Sequence, residues 1–198
     1  LIGITGHAGA GKDTVAEFLL ATYANHYRYA FADPLKEAAA VAFGIPLQWF
    51  NSTSLKEVPH PNWNISPRKI AQFFGTELFR ERIYQLLPSI ESDFWVQRMI
   101  IRLNNQYVPE DEGTLGIGDT VVIPDVRFQN EYDWIISQNG IIIHLTRPGA
   151  DGNIGILGHA SESSLNLWKK ERTYECVNDD SIPLLQQKIA NIVDSLKY

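Results

Sequence analysis

The sequence predicts an α/β fold with a mostly parallel sheet, and three observations carry that expectation. Short apolar runs suited to buried strands alternate with stretches of helical apolar spacing. The first strand-to-helix junction is glycine-rich, Gly6-His7-Ala8-Gly9-Ala10-Gly11-Lys12-Asp13-Thr14. Polar residues of chemical interest recur at the carboxyl ends of the apolar runs, where sheets of this class bind ligands. At 198 residues, 44% hydrophobic and 20% charged, the chain suits one globular domain with lobes inserted between core elements.

The opening stretch sets the chemistry. Leu1 to Thr5 reads as a buried strand, and Asp13 to Leu20 has helical spacing. Between them lies G-x-x-x-x-G-K, a phosphate-binding P-loop in which Asp13 stands where Ser or Thr is usual and Thr14 follows. Backbone N–H groups of such a turn point inward at an anion, and the helix N-terminus adds positive partial charge. Gly6, Gly9 and Gly11 let the backbone approach phosphate closely, and Lys12 reaches the β- and γ-phosphates.

Tyr27 to Phe31 alternates as a second strand should. Asp33 as cap and Pro34 in the first turn then open a helix that runs from Leu35 to Phe43 and stops at Gly44. Residues 45–65 read as a long loop whose Trp49, Phe50 and Trp63 argue against disorder. Trp49 and Phe50 in such a loop suit a homodimer interface. Ser66 caps a helix with Pro67 at its first position, yet Arg68 and Lys69 load the first turn with cations. Cations there oppose the helix dipole, which a bound anion would explain. That helix runs to Phe74, and Gly75 breaks or bends it before Thr76 to Arg82 resumes the pattern.

Ser92 to Val96 starts a further helix, carrying Arg98 and Arg102. Thr120 to Ile123 is a buried-type strand ending in Pro124-Asp125-Val126-Arg127, and its terminal carboxylate resembles a Walker B element that holds Mg²⁺. Gln129 to Gln138 is helical, with Glu131 near its start. Ile141 to Leu145 is the next strand, left through Thr146-Arg147. The glycine- and alanine-bearing segment around 149–160 is a candidate lid. Tyr174 to Val177 is a last strand, and a terminal helix carries Leu184, Leu185, Ile189, Ile192, Val193 and Leu196.

Charge and cysteine content narrow the partners. A net charge of −6 lacks the basic footprint of a nucleic-acid binder. No apolar run approaches membrane-spanning length, and no signal peptide is read. The single cysteine, Cys176, fits a reducing cytoplasm. The expected partners are therefore small molecules. Phosphoryl transfer needs positioning and charge neutralisation more than covalent chemistry. Lys12 supplies the loop cation, Asp13, Thr14 or Asp125 supply oxygen ligands for Mg²⁺, and Arg68, Arg127 and Arg147 are cations that a second anionic substrate would explain.

Taken in order, the Gly-Lys-Asp-Thr loop, Phe31-Ala32-Asp33-Pro34-Leu35-Lys36, Ser66-Pro67-Arg68-Lys69 with Phe74-Gly75-Thr76-Glu77, Asp125 to Glu131 and His159-Ala160-Ser161-Glu162 resemble the bacteriophage deoxynucleoside monophosphate kinases. The resemblance implies a P-loop NTPase three-layer fold with a five-stranded, mostly parallel sheet, a helical substrate-binding lobe and a lid. It implies ATP with Mg²⁺ as donor and a deoxynucleoside 5′-monophosphate as acceptor. Lys12, Asp13 and Arg127 would be catalytic. Gly6, Gly9, Gly11, Lys12, Asp13, Thr14 and Arg147 would hold the nucleotide, and Asp13, Thr14 and Asp125 the metal. Asp33, Arg68, Lys69, Arg127, Glu131 and Glu162 would face the acceptor. The expected division is a core of 1–44, 119–147 and 163–198, a lobe of about 45–118 and a lid of about 148–162. Two other readings stay open: a P-loop kinase for another small phosphate acceptor, such as phosphomevalonate or dephospho-coenzyme A, and a nucleotide-binding regulatory module.

Overall fold

The computed structural model describes residues 1–104, 118–149 and 171–197. Most of the expected lid, including Glu162, lies outside them. The described residues form two compact units, Leu1–Ala30 with Thr114–Tyr198, and Phe31–Gly113.

The first unit is built on a parallel five-stranded sheet in the order β2-β3-β1-β4-β5. Its strands are β1 (Ile2–Thr5), β2 (His26–Arg28), β3 (Thr120–Ile123), β4 (Ile141–Thr146) and β5 (Thr173–Val177). β1 is central, pairing Ile2 with Val122 on one side and with Ile141 on the other. Parallel strands joined by helical crossovers are covered on both faces, so β1 reads as an unbroken apolar run and is buried throughout. On one face Ile4, Ile143 and Leu145 pack with Val15 and Leu19 of α1 (Lys12–Thr22). The same cluster takes in Leu185, Ile189 and Val193 of the terminal helix Ile182–Asp194. On the other face lies the helix Gln129–Ser137, close enough that a side chain at Gly3 would displace Ile142 and Ile135. The result is the expected three-layer arrangement.

β2 is shorter than the alternation suggests. Tyr29 still donates its N–H to the Val122 carbonyl at 3.1 Å, but Phe31 has left the sheet. The cause is the next helix, α2 (Asp33–Phe43), which takes Asp33 inside its first turn and uses Ala32 as its N-cap. Asp33 is thus a first-turn carboxylate that complements the helix dipole, one position later than the cap read from sequence.

The second unit is helical and includes α2, which the sequence reading kept in the core. Its other helices are α3 (Leu47–Asn51), α4 (Pro67–Gln72) and α5 (Phe94–Leu103). Segment 45–65 is more ordered than a loop: α3 forms within it, and the Trp63 indole N–H donates to the Phe43 carbonyl at 2.8 Å. Phe50 is buried against Ala39, Ala40, Ile45 and Ile70. Its apolar surface is therefore spent inside its own unit rather than offered to a second copy.

The Gly75 irregularity is also different in kind. The helix neither stops nor kinks but widens into a π-helical turn over Phe73–Leu78. Phe79 N–H bonds the Phe74 carbonyl at 3.1 Å and Glu81 N–H the Thr76 carbonyl at 3.0 Å, both five residues back. The Gly75 carbonyl accepts the Trp95 indole N–H of α5 at 2.9 Å. Phe79 packs on both Phe94 and Trp95, with ring centroids 4.7 and 5.3 Å away.

Cys176 sits in the sheet core at 4% exposure, and burial pushes its thiol pKa up. The thiolate is the reactive form. Native protein is therefore expected to take up a maleimide or iodoacetamide far more slowly than protein unfolded in urea. Mass spectrometry of this one thiol checks it, and equal rates would mean that β5 opens readily.

Candidate functional site

Four strand ends of the first unit gather the chemistry: Thr5 from β1, Asp125 beyond β3, Arg147 after β4 and Asn178 after β5. The loop Gly6–Gly11 crosses this edge and feeds α1. Gly6, Gly9 and Gly11 hold φ values of 143°, 80° and 105°, a region where a Cβ is strained. Gly6 has a second constraint, because a Cβ there would stand 2.3 Å from the Leu145 carbonyl oxygen.

Lys12 is the first residue of α1. Its ammonium group turns back under the loop and donates to the carbonyl oxygens of Gly6 at 2.6 Å and His7 at 2.9 Å. The positive charge is thereby fixed at the loop's centre rather than on a solvated stem. Asp13 is exposed in the first turn of α1, and Thr14 beside it is half-buried. Asp125 is half-buried just past β3, where Val126 N–H anchors to the Ile4 carbonyl at 3.2 Å. Arg147 lies beside the loop, its Nη1 donating to the Gly9 carbonyl at 3.4 Å.

Below the loop, His144 pairs in register with Thr5 of β1 and Glu175 of β5. Burial lowers its pKa, against the opposing pull of Glu175 and with a smaller push from His7. The charged form of the imidazole is thus disfavoured next to the loop.

Glu131 is almost fully buried, at 1% exposure. Its Oε2 accepts the backbone N–H of Arg127 at 2.8 Å and of Phe128 at 3.1 Å. The carboxylate therefore closes the N-terminus of its helix and fixes the backbone that carries Arg127. Glu131, expected to face the acceptor, thus bonds the main chain at Arg127 and Phe128.

In the second unit, Ser66 caps α4 by accepting the Lys69 N–H at 3.4 Å, as expected. Arg68 is half-buried. It forms an ion pair through Nε with Glu57, and its backbone N–H bonds the Lys56 carbonyl at 2.9 Å. Part of the unfavourable charge in that first turn is thus met by a carboxylate of the preceding loop. Lys69 points to solvent.

One contributor to the loop was missed in the sequence. Asn178 donates its backbone N–H to the Thr146 carbonyl at 2.8 Å, and its side-chain amide to the Ala10 carbonyl at 2.9 Å. A Cβ at Gly11 would stand 2.8 Å from that amide nitrogen. Beside it, Lys188 bonds both the Val177 carbonyl and the Asp179 carboxylate. In the sequence only its position after a strand end marks Asn178.

No protein-family model matches the chain. Three curated proteins do, each across nearly its whole length. A putative deoxynucleotide monophosphate kinase of Acanthamoeba polyphaga mimivirus is 31% identical, covering 98% of this chain and 96% of the relative. The deoxynucleoside-5′-monophosphate kinase of Escherichia phage T5 is 26% identical, with 98% and 96% covered. The deoxynucleotide monophosphate kinase of Enterobacteria phage T4 is 23% identical, with 99% of each covered.

Proposed function

The chain belongs to the deoxynucleotide monophosphate kinases, and we propose that it moves the γ-phosphoryl group of ATP onto a deoxynucleoside 5′-monophosphate. The observation that carries this reading is the closed glycine loop with Lys12 bonded at its centre, at the carboxyl edge of a parallel sheet. An acceptor phosphate oxygen attacks the γ-phosphorus, the bond to the β–γ bridging oxygen breaks, and ADP and the deoxynucleoside diphosphate leave. Lys12 offsets charge on the transferring group, and Arg147 supports the ATP phosphates beside Gly9. Arg127 serves the acceptor and the transferring group from a backbone held by Glu131. Asp33, Arg68 and Lys69 serve the acceptor from the helical unit, and Glu162 from the lid.

The oxygen donors of the first unit fit Mg²⁺. Among the described residues no group of three or more acidic, histidine or cysteine side chains could cage a metal. Mg²⁺ retains several waters and takes one or two protein oxygens plus substrate phosphates, which Thr14, Asp13 and Asp125 can supply. Bound there, the ion would neutralise charge on the β- and γ-phosphates. Among the described residues no helix is long and apolar enough to cross a membrane. The phage origin of two relatives supports a cytoplasmic enzyme, that of the infected host cell if the chain is phage-encoded.

The test is ADP release with an acceptor panel: the four common deoxynucleoside monophosphates, their ribose counterparts, dephospho-coenzyme A and phosphomevalonate. The proposal requires stimulation by at least one deoxynucleoside monophosphate above the non-nucleotide acceptors. Turnover with only the latter, or with none, defeats it.

Asn178 gives a finer check. Asn178→Ala removes about 1 kcal/mol of hydrogen bonding to the loop, so KM for ATP should rise roughly five-fold while KM for the acceptor holds. Steady-state kinetics with each substrate varied in turn measures this. Equal rises for both substrates would mean that Asn178 supports the fold rather than the loop.

A further inference from the structure

Among the described residues, one side-chain nitrogen is buried without a hydrogen-bond partner: Nη1 of Arg98. Arg98 lies in the middle of α5, one turn after Trp95 and one residue before Met99, both buried. The residue as a whole is half-buried, so its guanidinium reaches from the surface into the packed face. Helical side chains lean toward the N-terminus of their helix, which carries the Arg98 head over the turn of Phe94 and Trp95. That turn is tied to the π-helical segment through the Trp95 bond to the Gly75 carbonyl. π-helical turns inside helices are frequent at functional sites.

A desolvated N–H on a permanently charged group is costly, and native proteins hold very few unsatisfied polar atoms. An orphaned N–H on a charged group is a position that a ligand can complete. Another cation of the helical unit expected to meet the acceptor, Arg68, is already partly neutralised by Glu57. We propose that Arg98 is an acceptor ligand in the helical unit, its guanidinium completing its hydrogen bonds on the 5′-phosphate of the deoxynucleoside monophosphate. The assignment rests on the kinase reading above. A guanidinium suits the role because two of its N–H groups can meet two oxygens of one phosphate.

The test uses Arg98→Met and Arg98→Lys in the full chain, with melting temperature, calorimetric binding of each deoxynucleoside monophosphate, and steady-state kinetics. Removing a charged hydrogen bond should weaken binding of every acceptor about equally, by roughly 10- to 100-fold, with KM for ATP nearly unchanged. Arg98→Lys should recover part of the loss. The melting temperature of Arg98→Met should hold or rise, because the partnerless buried charge is gone. A lowered melting temperature with unchanged acceptor affinity would make Arg98 structural and overturn the assignment. Unequal losses across the bases would move the contact from the phosphate to the base and overturn it as stated. Binding is read without turnover, so the two proposals fail separately. A wild-type protein that binds no deoxynucleoside monophosphate defeats the kinase reading; one that binds them as well as Arg98→Met does defeats only the Arg98 assignment.

Discussion

Lys12→Met is expected to slow phosphoryl transfer by about 10²–10³-fold, the range for removing one preorganised group that stabilises transition-state charge. The ammonium group is fixed by bonds of 2.6 and 2.9 Å to the Gly6 and His7 carbonyls, so its charge needs no reorganisation when the γ-phosphoryl group moves. Methionine keeps the length of the stem and loses both bonds. Charged hydrogen bonds contribute about 1.5–3 kcal/mol each when well formed, and this site is only part-buried, so the melting temperature should fall modestly. Lys12→Arg separates charge from geometry. A planar guanidinium cannot replace a compact ammonium between two carbonyls of one tight loop, and it should rescue stability better than rate. Single-turnover transfer and thermal melts on the two variants provide the measurement. Near-normal turnover in Lys12→Met would take the glycine loop out of the mechanism.

The fold was legible because its signals are local. The strands Ile2–Thr5, Thr120–Ile123 and Ile141–Thr146 are apolar runs with little competing pattern, and the junction after the first is a motif whose glycines have a backbone reason. Ser66 and Pro67 marked the start of α4 for the same kind of reason. What escaped reading depends on partners distant in sequence. Nothing near Phe73–Leu78 announces a π-helical turn, whose Gly75 carbonyl is met by Trp95 of α5. The ion-pair partner of Arg68 was not legible, because Glu57 lies eleven residues back in a segment that read as a loop. Glu131 looked like a substrate group, since a sequence does not say whether a carboxylate turns outward or caps its own helix. Asn178 is the extreme case, holding a loop 168 residues away.

Gly6→Ala should cost more in stability than any other single change in the loop. Its φ of 143° already excludes ordinary side chains, and a Cβ would meet the Leu145 carbonyl oxygen at 2.3 Å. That oxygen belongs to β4, the strand paired with β1, so it cannot swing aside as the tip of a side chain would. Forcing a side chain into a disallowed backbone conformation costs about 1–3 kcal/mol, and overpacking a tight site costs a similar amount. The chain is left to unfold more easily or to reshape the loop. Either outcome removes the carbonyl that Lys12 holds, so ATP affinity should fall together with stability. Gly44→Ala is the matched control. Gly44 also has a positive φ, 60°, as the C-cap of α2, but a Cβ there meets nothing within 4 Å. It should cost only the 1–2 kcal/mol or so of left-handed strain and leave ATP binding unchanged. Urea unfolding and nucleotide titration on both variants decide the point. A Gly6→Ala protein as stable as Gly44→Ala would mean that the loop yields freely at β4 and is not the rigid cradle its geometry implies.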